Sequence, residues 1–243
     1  MSRFTALSHS TLSSPAWFVP YDEYARRVSA AGVTVWLDRR EDDGGWLPLD
    51  DRAVLTPSAA LVYPGLGRTL SGPLTPRLHR ARFSAPGRQP YYPADGEGFS
   101  SSLTGVEFLV HPYRPGDPGR PPVAPGEPRL VRLLPAASFP YPPGVRTVHG
   151  VVVRAGTTTG LAQVLVEAEG QAGRDAVGWR ERALTDASGA FRLALRWEGE
   201  PTGVLNEERF LLRATERPGR TGERVVLLPR EAGQRHVIEI RES

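Results

Sequence analysis

The sequence predicts an all-β protein made of two β-rich domains, and three observations carry that prediction. Apolar and polar residues alternate with a period of two in many short runs, the signature of half-buried strands. Gly and Pro, at 26 and 24 of 243 residues, punctuate those runs as turns. No long stretch keeps the 3.6-residue period of a helix. The clearest run follows Thr185-Asp186-Ala187-Ser188-Gly189-Ala190-Phe191. There the Asp186 carboxylate can fold back onto backbone amides and Gly189 can take a positive φ. Phe191, Leu193, Leu195 and Trp197 then fall on one side, Arg192, Ala194 and Arg196 on the other.

Taken in order, residues 1–32 read as an N-terminal arm and a short helix. The arm is rich in Ser (Ser2, Ser8, Ser10, Ser13, Ser14) and ends in the apolar trio Trp17-Phe18-Val19. The helix is read over 21–31, where Tyr24 and Val28 lie four apart and Gly32 can close it. A strand through Arg27-Val28-Ser29 is the alternative. Residues 33–135 read as a β-rich domain. Its strands are expected around Val33-Val35-Leu37, after the turn 41–45, and over 53–56, 59–63, 78–83, 106–110 and 130–134. Eleven prolines between 112 and 143 make 112–128 a long loop and 136–145 a stiff linker, pinned by Phe139 and Tyr141. Residues 146–243 are expected to form seven strands, over 147–154, 163–168, 181–185, 190–197, 210–215, 224–228 and 235–241. A seven-stranded antiparallel sandwich is the packing that follows.

Composition excludes several classes of function. There is no Cys, so thiolate zinc sites, iron–sulfur clusters and disulfides are out. All 30 basic residues are Arg, yet the net charge is only +3 and the signs are evenly mixed. From Arg146 onward 15 Arg meet 14 acids, so no basic block marks a nucleic-acid footprint. The N-terminus lacks the apolar core of a signal peptide, and no run reaches the ~18 apolar residues of a membrane span. A soluble protein that stays in the cytoplasm or leaves it by an unusual route is the expectation.

His149-Gly150-Val151-Val152-Val153, Gly160-Leu161-Ala162-Gln163-Val164-Leu165-Val166 and Thr185-Asp186-Ala187-Ser188-Gly189-Ala190-Phe191 together resemble the carboxypeptidase regulatory-like domain. That resemblance covers about 146–243. It implies a transthyretin (prealbumin)-like β-sandwich and a non-catalytic accessory module. Thr185, Asp186, Gly189 and Phe191 are its fold signature. Upstream, the stretch from Leu55 through Tyr63-Pro64-Gly65-Leu66-Gly67-Arg68, followed by the proline-rich region and the sandwich, is similar in layout to accessory proteins of phage-tail-like contractile injection particles.

Candidate chemistry is sparse. His236-Val237-Ile238-Glu239 has the spacing of a zinc pair, but in a strand His236 and Glu239 point to opposite faces. An exposed or edge histidine is the expected reading. The five histidines, His9, His79, His111, His149 and His236, form no close pair, and Tyr91, Tyr92 and Tyr113 read as packing or rim residues. Asp38, Glu41, Asp42, Asp43, Asp50 and Asp51 lack the alternating loop of a calcium site and read as a solvated acidic hairpin. No nucleophile elbow, phosphate loop or dinucleotide fingerprint occurs. No catalytic residue, cofactor or metal is therefore expected. Among Trp36, Trp46, Trp179 and Trp197, Trp36 lies opposite Val33, Val35 and Leu37 and is the best candidate for exposure. With Trp17, Phe18 and Val19 it makes up the candidate interface. The function expected is a structural or adaptor component, docking on other subunits or on copies of itself, with the arm laid against a neighbouring chain. The alternative is a carbohydrate-binding or cell-surface module.

Overall fold

The computed structural model describes residues 13–94, 96–116, 128–172, 177–195, 208–228, 230–231 and 233–241. Among them there is no helix, and the protein is all-β, in several sheets. The first strands are β1 (Trp17–Asp22), β2 (Arg27–Val28), β3 (Thr34–Arg40), β4 (Trp46–Leu49), β5 (Val54–Leu55) and β6 (Leu61–Val62). Then come β7 (Arg77–Ser84), β8 (Arg88–Tyr91), β9 (Val106–Val110) and β10 (Arg129–Pro135). The last are β11 (Thr147–Arg154), β12 (Leu165–Ala172), β13 (Val177–Leu184), β14 (Ala190–Ala194), β15 (Glu208–Arg217), β16 (Arg220–Leu228) and β17 (Arg235–Ile240). The helix expected over 21–31 is absent. Tyr21 and Asp22 finish β1, and Asp22 Oδ1 accepts from Ala25 N at 2.9 Å, which turns the chain into β2. An aspartate that binds a backbone amide three residues on makes a turn where periodicity alone suggested a helix. The structure thus takes the strand alternative at Arg27-Val28.

Two compact units form, each from separate segments of chain. The first comprises Met1–Pro20, Val28–Phe83 and Gly105–Leu130, the second Tyr21–Arg27, Ser84–Thr104 and Val131–Ser243. In the first unit a sheet of order β4-β3-β7-β9 faces the strands β1 and β6, with β5 at the edge beyond β6. Phe18 is the central side chain, 1% exposed, with its ring 5.4 Å from Phe83 and 5.6 Å from Phe108 in edge-on packing. Leu37, Ala81 and Val106 complete this inner face. Pro48 sits in β4, an edge strand, where a missing N–H costs no ladder bond.

In the second unit a three-stranded sheet β14-β11-β17 lies against a four-stranded sheet β13-β12-β15-β16. Its core includes Val152, Val166, Phe191, Leu193, Leu212, Val226 and Ile238, all 2% exposed or less. One pairing departs from the antiparallel expectation. β11 and β17 run parallel, from His149↔Arg235 to Arg154↔Ile240. Gly150 permits this close approach, because a Cβ there would lie 2.1 Å from the His236 carbonyl oxygen and 2.8 Å from the Phe191 ring. Leu165 and Leu184 turn away from this core and, with Phe99 and Leu134, form a second buried cluster beneath Tyr91. β12 is thus covered on both faces, which is why Val164-Leu165-Val166 reads as a continuous apolar run rather than an alternation.

The turn at Asp186 forms as its residue types require. Asp186 Oδ1 accepts from Ser188 N at 2.8 Å, Ser188 Oγ at 2.7 Å and Ala190 N at 3.0 Å. Burial pushes its carboxyl up, but these bonds outweigh that and hold it below its usual range. Gly189 has φ +80°, and a Cβ there would meet the Val152 carbonyl oxygen at 2.6 Å. Thr185 is fully buried. Its Oγ1 donates to Leu161 O at 2.6 Å and accepts from Val164 N at 2.9 Å, which ties the turn to the start of β12. Phe191, Leu193 and Leu195 are buried as the alternation predicts, and Arg192 is half-buried. Ala194, expected on the outer side, is buried too. Arg196 and Trp197 lie outside the described residues.

Candidate functional site

Two concave regions stand out, one in each unit. In the first unit the outer face of β4-β3-β7-β9 is built around a buried carboxylate. β3 presents Trp36, Asp38 and Arg40 on this face, and the register Asp38↔Pro48 and Arg40↔Trp46 brings Pro48 and Trp46 of β4 beside them. β7 adds Leu78, Arg80 and Arg82, and β9 adds Glu107 and Leu109 opposite Arg80 and Leu78. Asp38 is 1% exposed. Arg80 donates to its Oδ2 through Nε at 3.0 Å and Nη2 at 2.8 Å; Arg82 donates through Nε at 2.7 Å and through Nη2 to Oδ1 at 2.9 Å. Burial raises the Asp38 carboxyl, but the hydrogen bonds and charges of Arg82 and Arg80 outweigh it and hold the group below its usual value. The guanidinium of Arg80 also lies over Trp46 at 4.3 Å, and that of Arg82 is 6.0 Å from Trp36. Asp38 is therefore a charged anchor that fixes two arginines, which in turn brace two indoles. The expectation that Asp38 belongs to a solvated hairpin is corrected here, because non-local arginines from β7 enclose it.

Beside this face β3 and β4 part company. Their last paired residues are Leu37 and Leu49, so Thr34–Trp36 have no partner in β4 and the chain 50–53 swings away. The gap is a cleft of about 380 Å³ lined by Val33, Val35, Trp36, Asp50, Asp51 and Arg52, among others. Trp36 is 46% exposed at its rim. Among the described residues Asp50, Asp51 and Arg52 form no hydrogen bond or ion pair through their side chains.

The second unit has a larger cleft of about 700 Å³ between the sheet face carrying Leu165, Glu167, Arg180, Arg182 and Thr215 and the loop from Tyr91 to Phe99. Three acids, Glu23, Glu97 and Glu167, face three arginines, Arg132, Arg180 and Arg182. Most of them are already paired. Glu23 accepts from Arg132 Nη1 at 3.2 Å and from Arg182 Nε at 3.2 Å, while Glu167 pairs with Arg180. Glu97 caps the amide of Ala94 at 2.8 Å. Tyr91 stacks on Phe99 at 5.8 Å beneath the Arg182 guanidinium at 4.9 Å. Burial pushes the Tyr91 phenol up, against the pull of Arg182. Sequence reading missed this cluster, since its members lie up to 159 residues apart and carry no local pattern.

The remaining expected site residues divide. Trp17 is 42% exposed, Val19 is half-buried and Phe18 is core, so the trio is not one exposed surface. Alternation along β1 sends Phe18 inward. Residues 1–12 of the arm lie outside the described residues. His236 and Glu239 do point to opposite faces of β17, an edge strand of its sheet, but His236 is buried at 1% rather than exposed, with Nδ1 lacking a hydrogen-bond partner. Its face carries Ile238 and Ile240 into the sandwich core. No group of three or more His, Cys, Asp or Glu placed to hold a metal occurs among the described residues. Phe139 and Tyr141, expected as pins, pack against Tyr24 with ring centroids 5.2 Å away in each case.

No protein family and no curated protein matches the chain. Among solved structures it is similar to a Streptococcal ancillary pilin at 11% identity and TM-score 0.29, covering 97% of this chain and 64% of that one. It is also similar to the Bacillus anthracis TIE protein at 8% identity and TM-score 0.24, covering 96% of this chain and 35% of that one. The chain thus spans less than two thirds of either, and likeness at these scores bears on neither activity nor partners.

Proposed function

We propose that this chain is a non-enzymatic structural or adaptor component of a larger protein assembly, docking through the outer face of β4-β3-β7-β9. The observation that supports the reading is the rigid indole–guanidinium array around Asp38. Trp and Arg dominate interface hot spots because they bury large areas while keeping a polar handle. Here both are braced before any partner arrives, which reduces the ordering cost of association. Leu109 at 55% and Pro48, also exposed, extend the apolar part of the face. The class of assembly proposed is the contractile phage-tail-like injection particle, on the layout resemblance of residues 55–68 and the regions that follow, with assembly in the cytoplasm.

Sedimentation of lysate from cells that make the chain tests this reading. The protein is expected in a high-mass fraction with sheath or tube subunits, and Leu109→Arg is expected to shift it to the low-mass fraction while leaving its melting curve intact. Recovery of the wild-type chain as a monomer, with no partner captured, overturns the proposal.

A further inference from the structure

We propose that the cleft beside Trp36 binds a neutral saccharide, at a site that shares Trp36 with the docking face and is otherwise lined by its own residues. The chemistry of the lining carries this. A pyranose offers a patch of weakly positive C–H groups on its ring face and a girdle of hydroxyls that both donate and accept. Trp36 supplies an exposed indole, whose negative face attracts such C–H groups. Asp50 and Asp51 are acceptors, and Arg52 carries up to five donors. These polar groups are uncommitted within the described chain, so a ligand need not displace an existing partner. The volume, about 380 Å³, falls in the ordinary range for small-molecule sites.

The other occupants fit less well. An anionic sugar would approach two unpaired carboxylates. A cationic ligand would leave the Arg52 donors unused and would meet that guanidinium's like charge. The larger cleft of the second unit is a poorer candidate despite its size, because its arginines and glutamates are engaged with each other. A hydroxylated ligand there would have to break those pairs.

The test is titration of the full chain with the methyl glycosides of glucose, galactose, mannose and N-acetylglucosamine, followed by tryptophan fluorescence and calorimetry. N-acetylneuraminic acid and choline serve as comparison ligands. At least one neutral glycoside is expected to bind and shift the emission. Trp36→Ala and the double variant Asp50→Asn, Asp51→Asn are each expected to weaken that binding at least ~10-fold, the loss of one good aromatic or polar contact set. The double variant lies on exposed chain, so it keeps the test decisive if Trp36→Ala fails to fold. Leu109→Arg is expected to leave saccharide binding unchanged, which separates failure of this site from failure of the docking face. No binding of any neutral glycoside, equal binding by the double variant, or binding confined to choline or N-acetylneuraminic acid overturns the proposal.

Discussion

The two clefts contain similar residue types and differ in what those residues already hold. In the second unit Glu23 pairs with Arg132 and Arg182, and Glu167 with Arg180, so each of these side chains already has an internal partner. In the first unit Asp50, Asp51 and Arg52 stand at the rim unpaired beside an exposed indole. The larger cavity is therefore a piece of architecture, a polar seam over the second buried cluster. The smaller one has unspent hydrogen-bonding capacity. Cavity size is a weaker guide to binding than the state of the lining groups, because a satisfied ion pair must be broken before it can bind anything else.

Four measurements would break or sharpen that contrast. The largest effect is expected at Asp38, a buried carboxylate that both Arg80 and Arg82 engage. Asp38→Ala removes the buried carboxylate that Arg80 and Arg82 share and should cost about 3 kcal/mol, the low end for breaking a buried pair since Arg82 stays part-exposed. Urea denaturation reads this directly, and an unchanged midpoint would show that the array is not held by the carboxylate. Because the Asp38 carboxyl is held below its usual value, its contribution is present above the unfolded pKa near 3.9 and is lost as pH falls through the folded one.

Glu23→Ala comes next. It removes the acceptor that Arg132 and Arg182 share in a half-buried seam and should cost about 1–3 kcal/mol by the same measurement. If instead the variant is as stable as wild type, the second cleft is not a structural seam and becomes a binding candidate in its own right.

The third test is pH. Burial lowers the pKa of both His79 in the first unit and His236 in the second. A buried neutral histidine contributes stability that is complete above the unfolded pKa near 6.5. That stability falls as pH drops towards the folded pKa, by up to about 1.4 kcal/mol per pH unit for each group. Melting temperature should therefore decline between pH 7.5 and 5.5, and His236→Phe should flatten the decline. A wild-type profile that is level over this range would contradict the burial of both rings. The smallest effect is expected at Asp51→Asn, within ~0.5 kcal/mol of wild type, since among the described residues the side chain makes no hydrogen bond or ion pair. A larger loss would mean that the first cleft, too, is structural.

Much of the β architecture was legible in the residues themselves. The alternation of Phe191, Leu193 and Leu195, the Asp186 and Gly189 turn and the strands over 106–110 and 147–154 rest on local rules. A period of two, a short acceptor side chain and a glycine at positive φ act within a few residues, so the sequence determines them unaided. What lay beyond reach was pairing at a distance. β1 and β8 were not anticipated, since Pro20 and Pro90 interrupt their patterns and only a neighbouring strand makes the segments β. The parallel β11–β17 pair, the burial of His236 and the double coverage of β12 depend on which strand arrives alongside. Asp38 illustrates the rule most sharply. In the sequence it begins an acidic run that resembles a solvated hairpin. In the fold, Arg80 and Arg82, 42 and 44 residues away, convert it into a buried anchor. Local chemistry chose the strands and turns, and only tertiary structure decided which charges would be satisfied and which left open, because a side chain's partners are set by the register of strands that the chain brings together from far apart.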